Sequence, residues 1–117
     1  MLTSPRTGSA SEEFASHIKN FKLGTLVGAT TAGAGHRNSL FGTPEGFVVS
    51  VSVGTAIHPV TGTGWEGTGV VPDLAVPVAE ALDAAHADAL KGLVAKATGA
   101  QKVELQKALD GLAAKKQ

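Results

Sequence analysis

Apolar residues recur along this chain with two different periods, and the changes of period mark its elements. Ala10, Phe14, Ile18 and Phe21 fall four, four and three residues apart, one stripe of a helix running from Ser9 to about Phe21. Gly24 ends it, after Lys19 and Lys22 have placed cations near the negative end of the helix dipole. Pro5 stops a strand before Thr7, and Thr25-Leu26-Val27-Gly28 reads as a short strand of the buried parallel type. Strand, helix and strand together predict a βαβ unit with a right-handed crossover.

Further on, the period falls to two. Strands near Ser39–Gly42 and Phe47–Val53 flank the turn residues Thr43-Pro44-Glu45-Gly46, which predicts a hairpin. Val49, Val51 and Val53 alternate with Ser50 and Ser52, so the second strand is expected to have one wet face. The stretch from Gly54 to Pro77 is rich in Gly, Thr and Pro, with a late strand near Leu74–Val76. Helical spacing then returns. Val78, Leu82, Ala85, Ala89 and Leu93 mark one helix, Thr98-Gly99 breaks it, and Leu105, Leu109 and Leu112 mark a second that ends in Lys115-Lys116. A helical hairpin over residues 78–117 follows.

At 117 residues the chain fits one small domain, and 43% hydrophobic residues suffice for a packed core. With only 4% aromatics, Val, Leu, Ile and Ala must build that core. Ten basic residues balance ten acidic ones, which argues against a nucleic-acid binder. There is no cysteine, so disulfides, thiolate metal sites and a cysteine nucleophile are excluded. No segment has the apolar length of a membrane span, and Met1-Leu2-Thr3-Ser4-Pro5-Arg6 has no apolar signal core, so the compartment is left unassigned. His17, His36, His58 and His86 show no metal-ligand spacing, and neither a metal nor a cofactor is expected.

The chemistry concentrates at Thr7-Gly8-Ser9-Ala10-Ser11-Glu12, where a hydroxyl meets a helix start. One reading is a capping box, with Ser9 as N-cap and Glu12 three residues on. The other is a serine nucleophile, with the Ala10 N–H aimed at a developing oxyanion. Short and common as the box is, the residues alone leave both readings open. Glu66, between glycines in Gly64-Trp65-Glu66-Gly67, reads either as a carboxylate that orients a base or as an exposed turn residue. Trp65 suits a core or lid, and His36 suits a structural or exposed role. The loop Gly33-Ala34-Gly35 lacks the Lys-Ser/Thr of a phosphate cradle.

Taken in order, four segments resemble the tail-specific, C-terminal-processing serine proteases: Leu2-Thr3-Ser4; Thr7 to Ala15; Val27 to Gly33; and Trp65-Glu66-Gly67-Thr68-Gly69-Val70-Val71-Pro72-Asp73. They look closest to the branch holding the interphotoreceptor retinoid-binding protein modules and the tricorn core protease. The resemblance implies an α/β, ClpP/crotonase-like core that cleaves polypeptides near their C-termini. It implies Ser9 as nucleophile, half an oxyanion hole on Ala10, and Glu66 as a second catalytic residue. Gly33, Gly35, His36 and Trp65 become expected substrate contacts. Ala34 stands where the tail-specific branch carries a lysine base, so the Ser/Lys dyad is absent. The family also has strands and oxyanion elements upstream of its nucleophile, whereas few residues precede Ser9 here. The expectation is therefore the C-terminal half of a catalytic domain over residues 1–77, incomplete at the N-terminus and inactive alone, followed by the helical tail. A missing N-terminal half or a homo-oligomer is the expected partner besides a polypeptide substrate. The retinoid-binding relatives support the alternative of a non-catalytic binding or structural module.

Overall fold

The computed structural model describes residues 1–114. The expected βαβ unit is present: β1 (Leu2–Thr3), α1 (Ala10–Asn20) and β2 (Val27–Gly28), with β1 and β2 parallel. The late strand β5 (Leu74–Ala75) joins the far side of β2, also parallel, giving the order β1-β2-β5. Between them, β3 (His36–Gly42) and β4 (Val48–Thr55) form a separate antiparallel hairpin with a bulge near Arg37 and Asn38. After a 3-10 turn at Val78–Glu80, the chain forms α2 (Ala81–Lys96) and α3 (Gly99–Ala114), which pack on each other. Lys115 and Lys116, the expected end of the second helix, lie outside the described residues. The whole is a mixed α/β fold ending in two helices.

The core is small. Ala15, Leu26, Trp65 and Val70 form its centre, with Met1, Ile18 and Ala56 packed against it. Leu26 and Val27 are almost wholly buried, as expected of a parallel strand covered on both faces. The α2 helix covers β1 and β2, burying Ala81 and Leu90.

Two expectations are corrected. The α1 stripe faces the core only at Ile18: Phe14 is 61% exposed and Phe21 46%, while Glu12, Ala15 and Ser16 are buried. The cause is Glu12, whose carboxylate is drawn inward by donors on that side, so the helix turns its aromatic residues out. The β4 strand has no dry face either, since every residue of β3 and β4 but the half-buried Ser39 is exposed. The hairpin stands clear of the core, and so does much of the helical pair. The radius of gyration is 19.5 Å, against roughly 13 Å for a compact chain of this length.

Candidate functional site

Thr7 and Gly8 bring the chain from β1 to the start of α1, and the reversal falls on Ser9. Its backbone has φ +54° and ψ −124°, a combination that residues with a side chain avoid. Residues held in such regions cost about 1–3 kcal/mol and persist only where surrounding contacts over-determine them. Those contacts come from one carboxylate. Glu12 Oε2 accepts from the Ser9 N–H at 2.9 Å and from the Ala34 N–H at 2.8 Å. Glu12 Oε1 accepts from Thr31 Oγ1 at 2.5 Å and from the Gly33 N–H at 2.6 Å. The capping box of Ser9 and Glu12 is present, but it does more than cap. It ties the helix start to the glycine loop, and Thr31 Oγ1 in turn accepts from Val70 N–H at 2.7 Å.

Glu12 is fully buried. Burial alone would raise its pKa, but the bonds from Thr31, Gly33, Ala34 and Ser9 outweigh it and hold the carboxyl below its ordinary value. The carboxylate is thus ionised at neutral pH and saturated with donors. Sequence reasoning saw Glu12 only as a cap. The signal for its larger role was the loop Thr31-Ala32-Gly33-Ala34, whose small residues let backbone N–H groups converge on one side chain.

Ser9 itself is exposed. The N–H groups of Ser11, Glu12 and Glu13 bond to the carbonyls of Gly8 and Ser9. The Ala10 N–H has no protein acceptor among the described residues, as expected at the first position of a helix. Exposed hydroxyl and free N–H therefore stand side by side at the positive end of the α1 dipole.

Glu66 holds the far end of the same loop. Its Oε2 accepts from the Gly35 N–H at 2.6 Å and the His36 N–H at 2.8 Å, and Oε1 lies 3.4 Å from His36 Nδ1. Among the described residues, none of its hydrogen bonds goes to Ser9. The loop connects the two: Glu12 grips residues 31–34 and Glu66 grips residues 35–36. Gly33 is buried with φ +80°, and a Cβ there would meet the Gly67 carbonyl carbon at 3.1 Å. Gly35 is buried too, and a Cβ there would press on Glu66 N at 3.0 Å. Both glycines serve close backbone packing, so they offer a substrate little surface. Trp65, only 6% exposed, is the core aromatic and also turns little surface outward. Of the four expected substrate contacts, His36 alone is exposed.

Two larger surface grooves, about 450 and 260 Å³, lie along α3 and between α2 and α3, away from Ser9. Among the described residues, no helix is long and apolar enough to cross a membrane.

Against known proteins, a solved structure of the photosystem II D1 C-terminal processing protease superposes with a TM-score of 0.59 at 31% sequence identity, covering 66% of this chain and 20% of that one. The chain thus spans about a fifth of the length of that protease. The family model described as peptidase family S41 matches residues 1–76, which contain Ser9, Glu12, the glycine loop and Glu66. The chain belongs to peptidase family S41, a serine-protease-type family.

Proposed function

We propose that this chain carries the nucleophile of a serine peptidase acting near polypeptide C-termini, with Ser9 as that nucleophile. The observation that carries the reading is the Ser9 backbone, φ +54° and ψ −124°, at an exposed helix start. An unfavourable conformation that a buried carboxylate maintains through four hydrogen bonds suits a reacting hydroxyl better than a cap, which needs no strain. The Ala10 N–H supplies one donor to the oxyanion of the tetrahedral intermediate. Glu66 supports the site through the loop and through His36, and the substrate is a polypeptide.

The general base comes from elsewhere. Residue 34 matches the position where the tail-specific branch carries its lysine, and its N–H shares the Glu12 oxygen that holds Ser9 N–H. The shared oxygen supports a reading in which residue 34 stands near Ser9, but its side chain here is a methyl group. Lacking this base, the chain alone is expected to be inert or nearly so. The solved relative processes a C-terminus, as its name states, and the reading carries over that class of cleavage alone.

Labelling by a fluorophosphonate tests the proposal. The wild type should label weakly, Ser9→Ala not at all, and Ala34→Lys faster than wild type. Labelling should also rise when a polypeptide supplying the upstream part of an S41 catalytic domain is added. Labelling that persists in Ser9→Ala, or that neither change raises, would overturn it.

Ala34 is also the observation that favours a second reading, a binding or structural module without catalysis. In that case Ala34→Lys and the added polypeptide leave labelling unchanged, while Ser9→Ala weakens the binding of an apolar ligand.

A further inference from the structure

The β3–β4 hairpin has two unlike faces. Directly opposed residues of an antiparallel pair share a face. The register sets Phe41 opposite Val49 and Ser39 opposite Val51. Phe47, hydrogen-bonded to Thr43, continues that face toward the tip, and Val53, the extra residue at the bulge, continues it toward the base. The opposite face is mixed: Asn38, Ser50 and Ser52 share it with Leu40 and Val48, and Ser52 Oγ donates to Asn38 Oδ1 at 2.9 Å.

A sheet face on which every large side chain is apolar is one layer of a two-layer structure. Among the described residues no second layer covers it: Phe41 is 51% exposed, Phe47 70%, Val49 46%, Val51 43% and Val53 47%. Together they present roughly 500 Å² of contiguous apolar surface, near the upper end for a free monomer face. Two such faces stacked would bury roughly 1,000 Å², enough for a small specific interface.

The charges at the two ends identify the occupant. Glu45 sits in the turn at the tip and Arg37 at the base, and neither has an ion-pair partner among the described residues. We infer that this face pairs two copies of the chain, hairpin on hairpin about a two-fold axis, tip over base. Each Glu45 then meets Arg37 of the partner subunit, and the five apolar side chains interleave between these end contacts. Such an isologous interface needs a patch that complements itself on rotation, and an apolar centre with opposite charges at its ends does so. The net charge of zero adds no long-range repulsion. Nearly every residue of β3 and β4 is exposed, so the hairpin face is open to a second copy. The inference does not depend on the chemistry at Ser9.

Sedimentation equilibrium of the full chain, from micromolar to submillimolar concentration, tests it. The wild type should show a monomer–dimer equilibrium. Val51→Lys should be monomeric with an unchanged far-UV spectrum, since the residue lies off the core, while Leu82→Lys on α2 should still dimerise. Glu45→Lys should weaken the dimer several-fold, and Glu45→Lys with Arg37→Glu should restore it. The chain has no cysteine, so Val51→Cys adds a single thiol near the axis and should oxidise to a disulfide dimer, whereas Leu82→Cys should not. A monomeric wild type, or a dimer that survives Val51→Lys, would overturn the inference. A charge exchange that fails to restore the dimer would overturn the tip-over-base arrangement.

Discussion

Two carboxylates hold the same glycine loop from opposite ends, and they do so in opposite surroundings. Glu12 is buried and accepts four hydrogen bonds, from the Ser9 amide, from a threonine and from two loop amides. Glu66 is 39% exposed, accepts from two loop amides and stands beside a histidine. The difference shows how a shared role divides. The buried carboxylate carries the geometry, because water cannot replace its partners and every lost bond leaves an unpaired buried group. The exposed one trims the loop, because solvent competes for each of its contacts.

Removing the buried member is expected to have the largest effect. Glu12→Ala strands the N–H groups of Ser9, Gly33 and Ala34 and should cost about 3–5 kcal/mol. In so small a core that is enough to abolish a cooperative urea transition followed by circular dichroism. If Glu12→Ala unfolds at a midpoint close to wild type, the contrast between the two carboxylates collapses.

Acid should reproduce part of that loss. The folded pKa of Glu12 lies below its ordinary value of 4.5. Its stabilisation is therefore complete above about 4.5 and disappears as the pH falls through the folded value. The urea midpoint of the wild type should drop steeply with falling pH in that window. Glu12→Gln, which cannot ionise, should start lower and lose this dependence. Equal slopes for both proteins would place the acid sensitivity elsewhere.

At the exposed end, Glu66→Gln retains an oxygen acceptor and should cost only about 0.5–1 kcal/mol, read from the same midpoints. A cost equal to that of Glu12→Gln would make the two carboxylates equivalent. Smallest in size and opposite in sign is Ser9→Gly. Glycine accepts a positive φ without strain, so the variant should gain up to about 1 kcal/mol in thermal stability while losing any fluorophosphonate labelling. A destabilised Ser9→Gly would argue against stored strain at this position.

Much of this was legible in the sequence. The βαβ unit, the hairpin, the late strand and the break at Thr98-Gly99 followed from apolar period and turn chemistry, and each lies close to its expected place. So was the junction of Ser9 with a helix start. The inward face of α1 was not, because a periodicity count treats Glu12 as polar and assigns Phe14 to the core. A carboxylate becomes an inward residue only when donors distant in sequence converge on it, and residues 31–34 are about five helical turns further along the chain. The exposure of both hairpin faces was hidden for a related reason. Alternation of Val and Ser says that one face prefers to be covered, but not what covers it. Trp65, expected in a core or lid, lies in the core, whereas the close packing of Gly33 and Gly35 depends on Glu66 and Gly67, which are distant in sequence.

The Ser9 backbone also constrains the order in which the molecule can assemble. A peptide ending at Gly24 holds the helix and the capping box, but not the Thr31, Gly33 and Ala34 donors that fix the Glu12 carboxylate. The final shape of the serine should therefore be fixed only once residues 31–34 are in place beside Glu12. Afterwards the amides of Ser9, Gly33 and Ala34 share one acceptor side chain, so they should become open to hydrogen exchange in a single opening event.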